Sequence, residues 1–209
     1  MTTFLSIIFI FMTNLVSAQT QNYEKINLSY HVVGIIGNSP QVGGTGFFIK
    51  KGQFYYLVSS WHSFSFKNHI TGASENKSSH LIKEVIVYRN LEDIKTNNYS
   101  RVQLIDSTMQ HPTYLSVHQN GKLLDISAIR VKRHPPFEFD YYDLNNEGPK
   151  VETKIGADTF YYGFPIMNGK QSDAAEHFEG KISEIDLNEL TMDIVGYMGC
   201  SGAPLFVRN

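Results

Sequence analysis

Beyond its first residues, the chain alternates short apolar segments with clusters of Gly, Asn, Ser and Pro. Segments 47–49, 54–59, 81–88, 101–105 and 126–131 are rich in Val, Ile, Phe and Tyr and have the lengths of strands. Lys50-Lys51-Gly52-Gln53 between the first two reads as a hairpin turn. A second group follows at 159–164, 180–186, 190–195 and 204–208. No long apolar repeat has helical period. Many short strands bounded by turn residues predict an all-β barrel or sandwich.

The stretch from 134 to 150, His134-Pro135-Pro136 through Gly148-Pro149, is acidic and aromatic with little periodicity. Adjacent prolines cannot donate to a strand ladder, so a central strand is excluded there. The chain therefore divides into an N-terminal β lobe at 19–133, a connection at 134–150 and a C-terminal β lobe at 151–209.

Residues 1–18 read as an export signal. Phe4 to Met12 is almost unbroken apolar sequence, and Val16-Ser17-Ala18 offers small residues for cleavage after Ala18. Asn14 interrupts the run before it reaches the roughly 20 apolar residues of a membrane span. The expectation is a secreted or periplasmic protein with no membrane association beyond the signal peptide. The single cysteine, Cys200, excludes an intrachain disulfide, so stability must come from the core. A 42% hydrophobic and 13% aromatic content is enough to build one. The net charge of -2 gives no basis for a nucleic-acid partner, and chemistry must be sought in local constellations. Oligomeric state is left open.

The most informative segment is Gly199-Cys200-Ser201-Gly202-Ala203-Pro204. Nucleophilic hydrolysis of an amide needs a hydroxyl on a tight turn and backbone N–H groups aimed at the developing oxyanion. Flanking glycines permit such a turn; they also suit an ordinary turn beside a strand. This run resembles the Gly-x-Ser-Gly-x-Pro signature of trypsin-like serine peptidases, especially the bacterial branch. Gly44-Thr45-Gly46-Phe47 and Val58-Ser59-Ser60-Trp61-His62 resemble that family's first catalytic region, and Leu124-Asp125-Ile126-Ser127-Ala128 its second. The order His, Asp, Ser is the chymotrypsin order, distinct from those of subtilisin and the α/β-hydrolases. Tyr162-Gly163-Phe164-Pro165 and Gly180-Lys181-Ile182-Ser183 are further likenesses.

The resemblance implies a two-lobed antiparallel β-barrel, a peptide or protein substrate, and no metal or organic cofactor. It implies Ser201 as nucleophile, His62 as general base and acid, Asp125 as the group that orients His62, and the N–H groups of Gly199 and Ser201 as the oxyanion hole. Val195, six residues before Ser201, matches the position at the base of the specificity pocket in trypsin relatives, and the resemblance there implies preference for a neutral side chain. Since the family's second barrel continues well past its serine, the chain is expected to be a fragment whose second barrel is incomplete and which hydrolyses peptides poorly. Bland readings exist beside these. Asp125 follows Asn120-Gly121 and could be a turn residue, Cys200 reads as a packed, inert thiol, and the other seven histidines read as surface residues, His111 and His118 being spaced too widely to share a helical metal face. The rival functions are a catalytically silent homologue serving as an exported binding module, and a β-sandwich structural protein with coincidental motifs.

Overall fold

The structure is a computed structural model that describes residues 28–36, 39–40, 43–65, 82–106, 108, 111–132, 137–145, 153–186 and 190–208. The export signal, Pro135, Pro136, His69, His80 and His134 lie outside the described residues. The first group of elements is β1 (Ser29–Ile36), β2 (Ser39–Pro40), β3 (Gly44–Lys51), β4 (Phe54–Ser59), helix α1 (Trp61–Ser65), β5 (Glu84–Tyr88), helix α2 (Leu91–Lys95), β6 (Ser100–Gln103), β7 (Leu115–Gln119), β8 (Lys122–Val131) and β9 (Tyr142–Asp143). They form one sheet in the order β6-β5-β1-β3-β4-β8-β7, with β2 on β1 and β9 parallel to β3. Its outer strands are brought together where Thr113 N donates to Leu104 O and Asp106 N to His111 O, both at 2.9 Å, which curls the sheet.

The second group is β10 (Asp158–Gly163), the hairpin β11 (Ile166–Met167) and β12 (Lys170–Gln171), β13 (Glu176–Ile185), β14 (Leu190–Asp193) and β15 (Leu205–Val207). Its main sheet runs β14-β13-β10-β15. The fold is thus all-β in two main sheets, with two helices of five residues each among the described residues.

The hydrophobic pattern explains why the two sheets pack. Side chains alternate across a strand, and in β3, β4 and β8 both faces are apolar. Phe48, Leu57 and Ile129 point into the core of the first sheet with Tyr30, Val85 and Val102. Their neighbours Phe47, Val58 and Ala128 point the other way, into a second cluster with Phe160 and Phe206 of the second sheet. Burial on both faces is why these strands read as continuous apolar runs. At about 25 cal/mol per Å², each of these side chains except the small Ala128 contributes roughly 1.5–3 kcal/mol.

Turn chemistry fixes the register. Asn120 (φ 49°) and Gly121 (φ 77°) occupy a two-residue hairpin between Gln119 and Lys122, the positive-φ geometry that Asn-Gly favours. Asp125 is therefore well inside β8 and is not a turn residue. Strands β1 and β7 went unanticipated. The stretch 137–145 does more than connect: Phe137 and Phe139 are buried in the first core and Tyr142 in the second, with Phe139 stacked on Phe48 at 3.8 Å. His31, expected at the surface, is 4% exposed on β1, because β1 is covered by Tyr88 on one side and Phe164 on the other.

Candidate active site

Strand β4 ends at Ser59 and the chain turns at once into α1, so His62 enters the helix's first turn, where backbone N–H groups lack intrahelical partners. Asp125 satisfies one of them. Its Oδ1 accepts from the His62 backbone N at 3.0 Å, while Oδ2 lies 2.7 Å from His62 Nδ1. One carboxylate thus caps the helix and orients the ring. Because an ionised carboxylate only accepts, the Nδ1 facing it carries the proton, and Nε2 is left as the basic nitrogen. Both side chains are about a quarter exposed, 25% for His62 and 27% for Asp125, so the pair is accessible without being fully solvated. The helix is anchored further by Trp61 Nε1, which donates to Ser116 Oγ at 3.0 Å. The Ser60 hydroxyl lies 3.5 Å from His62 Nε2 but bonds the Ser63 hydroxyl much more closely, at 2.6 Å.

Ser201 is half-buried in a turn between Gly199 (φ 86°) and Gly202 (φ 88°), positive values that favour glycine at both positions. The turn docks directly on the segment that carries His62. Ser201 O accepts from Thr45 N at 2.8 Å, and a side-chain carbon on Gly202 would meet Ser60 N at 2.6 Å. Gly44 is required on the facing strand, since a carbon there would meet Ser201 O at 2.8 Å. Gly44 and Gly202 are therefore explained by one contact, the close approach of two backbones, whereas Gly46 approaches Val58 O and Gly199 approaches Phe164 O.

The peptide groups of this turn are held one by one. Met198 O accepts from Ile166 N at 2.7 Å and Cys200 O from Ala203 N at 3.0 Å. In a planar trans peptide the N–H points opposite to the C=O. These two bonds thus fix the directions of the Gly199 and Ser201 N–H groups, which donate to no acceptor among the described residues. Cys200 faces the other way. Its sulfur packs where a Gly163 side chain would be, 2.8 Å from that site, and burial pushes its thiol up to about 11. A thiol so held is un-ionised at neutral pH and a poor nucleophile.

Val195 follows β14 and is 62% exposed, with its carbonyl accepting from the Tyr161 hydroxyl at 3.0 Å. His111 and His118 are exposed, and no group of three or more His, Cys, Asp or Glu suited to a metal occurs among the described residues. Sequence reasoning missed Thr45, buried to 0% between the two backbones. Its place between two glycines, in a strand whose other polar residues are the terminal Lys50 and Lys51, marks the position but does not give its role.

No family model matches this chain, and no curated protein matches it. Solved structures do. Human heparin binding protein superposes with a TM-score of 0.55 at 10% identity, covering 92% of this chain and 78% of that one. A mutant form of the same human protein gives 0.56 at 11% identity, covering 92% and 79%. The scabies mite inactivated protease paralogue gives 0.51 at 11% identity, covering 91% and 84%. These neighbours are chymotrypsin-fold, serine-protease-like proteins, and the likeness establishes that fold for this chain. Among the described residues no helix is long and apolar enough to cross a membrane.

Proposed function

We propose that this chain is an exported serine endopeptidase acting through His62, Asp125 and Ser201. The observation that carries the reading is the two-point grip of Asp125 on His62, at 3.0 and 2.7 Å, beside a glycine turn that presents Ser201. Such a grip selects the Nδ1–H tautomer and leaves Nε2 to take the proton from Ser201 Oγ as that oxygen attacks the scissile carbonyl. The carbonyl oxygen becomes an oxyanion, received by the N–H groups of Gly199 and Ser201; such donors are worth about 3 kcal/mol each. The tetrahedral intermediate collapses, the C–N bond breaks, and His62 gives its proton to the leaving amine. Water then enters, loses a proton to His62 and attacks the acyl-enzyme, releasing the acid and restoring Ser201. No step needs a metal or organic cofactor. Val195 and Met198, 62% and 73% exposed before the turn, favour a substrate with a neutral side chain next to the cleaved bond.

The fold alone does not decide activity, since one structural neighbour, from the scabies mite, is an inactivated protease paralogue. The residues favour catalysis over a silent binding module, because a silent homologue has no need to keep both contacts between Asp125 and His62. The test is hydrolysis of a mixed peptide library by the product of the full coding sequence, purified alongside its Ser201→Ala form. Cleavage by the first and not the second is expected. Equal cleavage by both, or none by either folded protein, would contradict the proposal.

A further inference from the structure

Every polar group of Thr45 is hydrogen-bonded, to backbone groups of Ser201, Gly199 and Phe164 and to the side chain of Ser59. Its N donates to Ser201 O at 2.8 Å, and its carbonyl accepts from the Ser59 hydroxyl at 2.6 Å. Its own hydroxyl donates to Gly199 O at 2.9 Å and accepts from Phe164 N at 3.1 Å. A threonine hydroxyl has one proton to give, and the carbonyl of Gly199 receives it while the Phe164 amide fills a lone pair. The residue is 0% exposed, so no water competes for these bonds.

From Met198 to Ser201 the four successive carbonyls are held by Ile166 N, Thr45 Oγ1, Ala203 N and Thr45 N. Thr45 supplies two of the four. The Ile166 bond belongs to the same connection, because Phe164 N lies on Thr45 and the Gln171 side-chain amide donates to Phe164 O. Thr45 is paired in β3 opposite β1 and lies next to Gly46, which faces Ser59 of β4. The strand that leads to His62 and the turn that carries Ser201 thus meet at one side chain.

We propose that Thr45 is a positioning residue, whose hydroxyl locks the 198–201 turn in the conformation that presents the Gly199 and Ser201 N–H groups together. The proposal rests on the peptidase reading for its kinetic consequence, but its physical content is independent of that reading. Loss of the hydroxyl frees the Gly199–Cys200 peptide to rotate, and the two N–H groups on either side of it lose their shared direction. Removal of one oxyanion donor costs about 10²–10³ in kcat, and an unlocked turn approaches that cost without altering substrate contacts.

The experiment compares wild type, Thr45→Val and Thr45→Ser by two readouts. Hydrogen exchange of the wild type is expected to show the Phe164 amide as slow as the amides of β3 and β4; a fast-exchanging Phe164 amide would overturn the proposal without any variant. In Thr45→Val, exchange across 198–203 should rise at least tenfold while β4 and β8 stay protected, and Thr45→Ser should restore protection. Peptide turnover should fall about 100-fold in kcat in the valine form, with KM changed little and the serine form close to wild type. Unchanged exchange and unchanged kcat in Thr45→Val would overturn it. A loosened turn in a chain that hydrolyses nothing in any form would leave the lock standing and remove the peptidase reading instead.

Discussion

His31 makes acid sensitivity a quantitative consequence of the fold. Its ring is stacked on Phe164 at 4.9 Å and 12°, and meets the edge of Tyr88 at 5.0 Å. Burial in this apolar sandwich disfavours the imidazolium and pushes the group down to about 4, against a smaller opposing effect of a hydrogen bond with Gln171. Nε2 meets no hydrogen-bond partner among the described residues, so the second N–H of an imidazolium has nothing to donate to. In the unfolded chain the same ring titrates near 6.5. Between about pH 6.5 and 4 the unfolded state therefore binds a proton that the folded state refuses, and stability falls as pH falls. Above 6.5 the contribution is fully present; below about 4 both states are charged and the loss levels off. At about 1.4 kcal/mol per decade of proton affinity, the interval from 6.5 to about 4 amounts to on the order of 3 kcal/mol. Urea unfolding of wild type and His31→Gln at several pH values from 4 to 8 isolates this contribution, since the carboxylates are common to both. Wild type should lose about 3 kcal/mol more than the variant on going from pH 7 to 4. Curves that stay parallel to within about 0.5 kcal/mol would refute the reasoning.

Two further outcomes follow from the site. In Asp125→Asn the retained oxygen can still accept from the His62 backbone N, now 3.0 Å from Oδ1, but the side-chain amide selects the wrong ring tautomer; kcat should fall about 10⁴-fold with the thermal midpoint almost unmoved, as steady-state kinetics and a melting curve would show. Gly202→Ala combines a left-handed backbone (φ 88°) with a collision 2.6 Å from Ser60 N, and should cost roughly 3 kcal/mol or more in denaturant stability.

The central strands were legible because β3, β4 and β8 are apolar on both faces, and 54–59 emerges as β4 with the same bounds. Others were blurred by their surroundings. In β7 only Val117 is buried among Leu115, Ser116, His118 and Gln119, so composition left no pattern to read. The stretch 137–145 looked aperiodic because Phe137, Phe139 and Tyr142 insert as single anchors, with little strand pairing around them. In the site, the pairing of His62 with Asp125 could be anticipated from motif order, whereas Thr45 could not. Its role depends on where the carbonyls of a distant turn fall, 154 residues along the chain, and no spacing rule encodes that.

The central claim is that Ser201 is a nucleophile activated by His62. Treatment of the folded full-length product with a fluorophosphonate, followed by intact-mass analysis and peptide mapping, tests it most directly. One phosphonyl adduct on Ser201, absent in Ser201→Ala, strongly slowed in His62→Ala and leaving Ser60, Ser63 and Cys200 unmodified, is the expected result. An unlabelled folded protein, or an adduct mapping to any other residue, would contradict the account.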